Sequence, residues 1–251
     1  MRALLVNPWI HDFKAFDFWN KPLGLLTVSS ILKKYGFQVD LIDCMDRASP
    51  YFKTPTRTDG YGRGKYVFEE VEKPKLFKKI PRRFKRYGMP RSVFLDVLKK
   101  SAPPDVIFVT SSMTYWYPGV FEAIRILKNR FPKTKIVLGG IYATLCENHA
   151  RRSSGADQVI PGPAENNLPA YLEKEGYIKK PADGRDAIVP DFTLYPKLNY
   201  GVVLPSKGCP FSCTYCATYL LSPGFETMPW QTIDAGLRYF SRRTKNIAFF
   251  D

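Results

Sequence analysis

Gly208-Cys209-Pro210-Phe211-Ser212-Cys213-Thr214-Tyr215-Cys216 carries three cysteines in eight residues, with three residues and then two between them. Thiolates at that density suit zinc or the iron of an iron–sulfur cluster better than a packed core. A structural zinc site wants four protein ligands, commonly from two knuckles. No second knuckle follows, and the two histidines, His11 and His149, lie far upstream. Three thiolates from one loop would leave one iron of a cubane cluster open to an outside ligand. Zinc and incidental spacing stay open as alternatives.

The flanks of this loop read as strand, helix and strand. Tyr200-Gly-Val-Val-Leu-Pro205 is a short apolar run entering it. Downstream, Pro229 opens a helix whose apolar positions Trp230, Ile233, Leu237 and Phe240 step at helical spacing. Asn246-Ile-Ala-Phe-Phe-Asp251 is a second strand. Upstream, Pro181, Gly184, Pro190 and Pro196 break any periodicity, which predicts a linker over 177–199.

Before the linker, apolar runs alternate with helical patterns. Residues 3–8, Ala-Leu-Leu-Val-Asn-Pro, predict a buried parallel strand stopped by proline. A helix follows over Leu23, Leu26, Ile31, Leu32 and Tyr35, with Pro22 at its start and Gly36 past its end. Gln38–Asp43 is the second strand. Further strands are predicted at Asp105–Thr110, Lys135–Ile141 and Asp157–Ile160. The helices expected among them are Arg91–Lys100, one through Val120, Ile124, Ile126 and Leu127, Ala143–Ala150, and Asn167–Lys174. Five strands alternating with helices predict an α/β fold over 1–176. The expected form is a doubly wound, flavodoxin-like parallel sheet of order 2-1-3-4-5, with ligand at the carboxyl ends where the order reverses. Residues 45–90 interrupt it with Pro50, Pro55, Gly60, Gly62, Gly64, Pro74, Pro81 and Pro90, and read as an insertion holding one or two short helices.

With these elements in place, Cys209-x3-Cys213-x2-Cys216, preceded at its last cysteine by aromatic Tyr215, resembles the cluster loop of the radical S-adenosylmethionine (radical SAM) enzymes. In that family three cysteines hold a 4Fe-4S cluster and S-adenosylmethionine chelates the fourth iron. One electron, from a donor such as flavodoxin or ferredoxin, then yields a 5′-deoxyadenosyl radical. The resemblance implies Cys209, Cys213 and Cys216 as cluster ligands, Tyr215 beside the adenine, and 200–251 as the first part of a radical SAM (β/α) barrel. Lys207 stands where the family usually has arginine.

A doubly wound domain ahead of such a loop resembles the cobalamin-binding radical SAM proteins. There a serine-containing turn and a glycine pair line the slot for dimethylbenzimidazole, which implies Ser111, Ser112, Gly139 and Gly140 in that role here. The signature Asp-x-His-x-x-Gly is absent: His11 lies in the corresponding loop, but Trp9 and Lys14 stand where its aspartate and glycine belong. His11 therefore reads as a surface histidine and His149 as a helix-end one. The implied function is cobalamin-dependent methyl or alkyl transfer to an unidentified small molecule. The other reading is an inactive cobalamin- or partner-binding module with a barrel remnant. Since a barrel needs several further βα units, the chain is expected to be the amino-terminal part of a longer enzyme, inactive alone.

The composition agrees with a globular protein: 251 residues, 45% hydrophobic and 15% aromatic. No apolar run approaches the roughly 18 residues of a membrane span. Five cysteines, three of them clustered, do not suggest a disulfide framework, so a cytoplasmic location is expected, with Cys44 and Cys146 as buried small residues. The formal charge is +15, and it concentrates between Lys73 and Lys100, where Asp96 is the single acid. Such a field would attract nucleic acid, anionic lipid or a phosphorylated substrate. A solvated surface or one matched to an acidic partner is the simpler expectation, and nucleic acid ranks behind it.

Overall fold

Strands that are apolar along their whole length need cover on both faces, and a parallel sheet between two helical layers provides it. The computed structural model describes residues 1–52, 56–180 and 188–250. Pro55, Pro181, Gly184 and Asp251, which entered the reading above, lie outside the described residues. β1 (Arg2–Asn7), β2 (Gln38–Asp43), β3 (Val106–Val109), β4 (Lys135–Leu138) and β5 (Gln158–Val159) pair in parallel. Their order is 2-1-3-4-5, as the alternation of elements predicts.

Alternate residues of β1 feed two cores. Ala3 and Leu5 pack with α1 (Leu23–Lys34), while Leu4 and Val6 face α2 (Arg91–Lys100) and α3 (Tyr117–Arg130). Past β4, the expected helix over Ala143–Ala150 is broken at Cys146 into α4 (Ile141–Leu145) and α5 (Glu147–Ser153). The last helix of this half, α6 (Ala164–Lys174), returns to α1 and buries Leu168 and Leu172 beside it. Proline fixes φ and lacks the amide a helix start cannot use, so Pro22 and Pro90 immediately precede α1 and α2.

The insertion differs from the expected helices. Short strands Phe68–Glu70 and Lys85–Tyr87 join Ile10–Asp12 in an antiparallel sheet, and Phe16–Asp17 pairs with Gly64–Lys65. Its helical content among the described residues is one 3-10 turn, Lys75–Phe77. Because Ile10–Asp12 directly follows β1, this small sheet stands at the carboxyl edge of the large one.

The presumed linker is also more than a connector. Phe192, Tyr195 and Leu198 are buried in one core with Leu26 of α1, Tyr200, Val202 and Phe240. From there β6 (Gly201–Val203) runs into β7 (Ser206–Gly208), the cysteine loop and α7 (Thr218–Leu221). The chain returns through β8 (Phe225–Thr227), α8 (Trp230–Ser241) and β9 (Ile247–Phe249). β6 and β9 are parallel and α8 crosses between them, while β7 and β8 form a hairpin. Among the described residues the expected barrel amounts to this one βαβ unit.

Candidate functional site

Two regions named from the sequence lie at the carboxyl ends of the strands. Behind β3, Ser111 is buried, and its hydroxyl donates to the Gly139 carbonyl at 2.6 Å and accepts from the Ala143 amide at 3.2 Å. Both hydrogen-bonding roles of this serine are thus spent on joining the β3 and β4 turns. Gly140 has φ 95°, and a Cβ there would lie 2.3 Å from the Ser111 carbonyl oxygen. Protein backbone, not ligand space, demands this glycine. Gly139 differs: an added Cβ would meet only the Ile160 carbonyl oxygen, at 3.6 Å. Its side of the turn is open and fits the edge of a flat base; the Gly140 side does not.

The crevice where the strand order reverses, between β1 and β3, is nearly filled. Trp9, Met45, Ser112 and Trp116 help line a residual space of about 10 Å³, room for one water at most. As it stands, this crevice has no room for a flat base.

His11 is neither at the surface nor poised toward a metal. Its Nε2 lies 3.2 Å from Glu122 of α3, which also takes Arg86 at 2.6 Å. Burial raises the Glu122 carboxyl, but the neighbouring His11 ring and the Arg86 guanidinium outweigh it and hold the group down at about 2. A depressed carboxyl contributes stability above its unfolded value, near 4.5, and loses it as pH falls toward about 2. Glu122→Gln is expected to cost about 2 kcal/mol at pH 7, after discounting for partial solvent screening. In urea titrations its deficit against wild type should shrink steadily from pH 4.5 to pH 2; a deficit constant over that window would refute the assignment. His149 lies on α5, where its Nδ1 meets the Tyr142 hydroxyl at 2.6 Å and its ring stacks on Phe121.

The cysteine loop is the tip of the β7–β8 hairpin. Gly208, at φ 80°, lets the strands nearly touch: a Cβ there would collide with the Gly224 carbonyl. The Cys216 amide donates to the Cys213 carbonyl at 3.0 Å, closing a turn, and Cys209 donates to Gly224. Cys209 and Cys213 are exposed and Cys216 is half-buried. A hydrogen bond with the Thr218 hydroxyl, 3.1 Å away, lowers the Cys216 thiol below the usual range. The donor set fits an iron–sulfur cluster, since soft thiolates are its ligands. Yet among the described residues no three Cys, His, Asp or Glu side chains are gathered around a metal-sized space. Ligation would draw the loop together, as metal sites commonly form with their metal. Tyr215 stands 91% exposed. Cys44, in contrast, is fully buried, and burial pushes its thiol well up, which leaves it inert.

The fold brings these two regions together. α7, directly after Cys216, packs against α4, directly after Gly140. Lys207, at the base of the cysteine loop, reaches Glu165 of α6 at 2.7 Å.

Sequence reasoning missed a buried polar cluster at the ends of β1 and β2. Lys21 pairs with Asp46 at 2.9 Å and lies over the Tyr195 ring. The Tyr195 hydroxyl donates to Asp43 at 2.6 Å, and the Tyr200 hydroxyl donates to Asp17 at 2.7 Å. Burial raises Asp43, with Lys21 opposing, and pushes both tyrosine hydroxyls upward. The signal in the sequence was that Asp17 and Lys21 lie in the loop leading into α1, and Asp43 and Asp46 at and just past the end of β2.

Residues 90–172 match the family model of the B12 binding domain, a stretch from α2 to the last turn of α6 that includes Ser111, Ser112, Gly139 and Gly140. Over 207 residues the chain is 22% identical to cytidylyl-2-hydroxyethylphosphonate methyltransferase of Streptomyces wedmorensis, covering 77% of this chain and 34% of that one. Over 160 residues it is 25% identical to an uncharacterized methyltransferase of Pyrococcus horikoshii, covering 51% of this chain and 35% of the relative. The chain spans about a third of the length of these curated relatives. The domain match supports cobalamin binding by the parallel-sheet half. No helix among the described residues is long and apolar enough to cross a membrane.

Proposed function

We propose that the chain carries cobalamin against the carboxyl ends of β3–β5, and a 4Fe-4S cluster with S-adenosylmethionine on the Cys209–Cys216 loop. The activity served is methyl or alkyl transfer to a small molecule, with electrons from a donor such as flavodoxin or ferredoxin. The observation that carries this reading is the α4–α7 contact, which sets the B12-matching half against the cysteine loop. The methyltransferase relatives add weight to the reaction class.

When bound, cobalamin would supply a transferable methyl group, and the cluster a single electron for S-adenosylmethionine. The chain's own residues do the rest. Cys209, Cys213 and Cys216 would ligate the cluster, and the Thr218 hydroxyl favours thiolate at Cys216. Tyr215 offers a flat, uncovered ring for an adenine. Ser111 locks the two turns that frame the opening at Gly139, and Ser112 follows it at the mouth of the β1–β3 crevice. The Lys207–Glu165 pair holds the base of the hairpin to α6.

Anaerobic reconstitution with iron and sulfide, followed by titration with hydroxocobalamin, tests both halves. Wild type should take up about four irons per chain with iron–sulfur absorption. Cys213→Ala should lose the iron and keep cobalamin. Gly139→Val should weaken cobalamin roughly tenfold while retaining iron and the wild-type melting temperature. One tightly held zinc per chain without that absorption would remove the cluster assignment. Absence of any cobalamin spectral shift in wild type would remove the other half.

A further inference from the structure

The insertion presents a tip with a composition unlike the rest of the surface. Residues 73–83, Lys-Pro-Lys-Leu-Phe-Lys-Lys-Ile-Pro-Arg-Arg, hold six basic side chains and no acid. Their fold is compact: the Phe77 amide donates to Pro74, the Ile80 amide to Phe77, and Lys73 Nζ to the Ile80 carbonyl. The aromatic residue of the tip is turned inward. Phe77 packs edge-on to Phe13 and against Phe84, with ring centroids 5.6 Å and 6.1 Å away, and Phe84 is buried. That anchor forces its neighbours out, so Leu76 is 86% exposed and Ile80 is exposed as well. Arg83 pairs with Glu70, whereas Lys75, Lys78, Lys79 and Arg82 have no acidic partner among the described residues.

We propose that this tip is a docking site for an anionic lipid surface, with Leu76 and Ile80 entering the acyl boundary and the lysines and arginines lying among acidic headgroups. With Leu76 86% exposed and Ile80 37% exposed at a cationic turn, these aliphatic side chains lack full cover in water, and an interface supplies both an apolar layer and counter-charge. Nucleic acid would satisfy the charge alone. Single-strand binding proteins add exposed aromatic rings for stacking, whereas the tip's one aromatic ring, Phe77, is turned inward and its exposed apolar side chains are aliphatic. Since the small antiparallel sheet stands at the carboxyl edge of the large one, docking would hold the candidate cofactor face near the bilayer.

The test is flotation of the intact chain with vesicles of phosphatidylcholine alone and of phosphatidylcholine with phosphatidylglycerol. Binding is expected only to the anionic vesicles, and to fall as salt is raised from about 0.1 M to 0.5 M. Leu76→Asp should reduce the partition roughly tenfold, and Lys78→Glu with Lys79→Glu should reduce it at least as much, at unchanged melting temperature. Absence of binding to anionic vesicles overturns the proposal. So does binding that Leu76→Asp leaves intact. A parallel shift assay with single- and double-stranded RNA completes it: tight RNA binding insensitive to Leu76→Asp, without vesicle binding, would reassign the tip to nucleic acid.

Discussion

Replacing Arg47 by leucine is expected to destabilise the protein by about 3–5 kcal/mol, the cost of leaving a buried charge without its partner. The Arg47 and Asp17 side chains are 1% and 3% exposed and meet at 2.9 Å. Asp17 also accepts from Tyr200 and from the Asn20 amide, so removing the guanidinium strands an anion already fixed in place. Arg47 does more than balance charge. Its remaining nitrogens donate to the Thr56 hydroxyl and to the carbonyls of Arg57 and Gly62, which tie the insertion to the end of β2. For a chain of this size the melting temperature should drop by roughly 6–20 °C. Adding Asp17→Asn to Arg47→Leu should recover part of the loss, because the stranded charge is then gone. A single variant melting within about 2 °C of wild type would show that the pair is dispensable.

Gly140→Val should be nearly as damaging, about 3 kcal/mol or more, and for backbone reasons. At φ 95° and ψ −169° the residue occupies a region essentially reserved for glycine. The added side chain would also meet the Ser111 carbonyl oxygen and amide nitrogen, at 2.3 Å and 2.8 Å from its Cβ. Strain and overpacking each contribute on the order of 1–3 kcal/mol. Thermal melts and hydroxocobalamin titration of Gly139→Val and Gly140→Val separate the two glycines. Position 140 should lose stability and position 139 affinity. If Gly140→Val melts like wild type but no longer takes cobalamin, the ligand lies on the other side of the turn.

That pair shows where a sequence stops being informative. Gly139-Gly140 after a strand is called for equally by a close ligand and by a tight turn, and only the position of Ser111 decides between them. The large sheet was legible because β1, β3 and β4 carry nearly unbroken apolar runs, and because Pro22 and Gly36 punctuate α1 where proline and glycine must. The small antiparallel sheet was not. Phe68–Glu70 and Lys85–Tyr87 are three residues each, too short for an alternating pattern, and they sit in a run of charge that reads as solvent-exposed. Equally hidden was the Asp17–Arg47–Tyr200 cluster, whose members are distant in sequence and individually ordinary. The cysteine spacing was legible as chemistry, but not the α4–α7 contact that gives the loop its neighbour.

The core that Leu26 shares with Phe192, Tyr195, Leu198 and Phe240 has a consequence for where this molecule can be divided. Sequence punctuation places a seam near residue 177, but cooperativity does not respect it. A fragment cut there would leave Leu26 facing water and the Asp17 and Asp43 carboxylates without the tyrosine hydroxyls that now cap them. The sheet and residues 192–203 therefore share one interior across α1. Rotation of the two halves as independent beads would expose that packed interior to water and part the Tyr195–Asp43 and Tyr200–Asp17 hydrogen bonds.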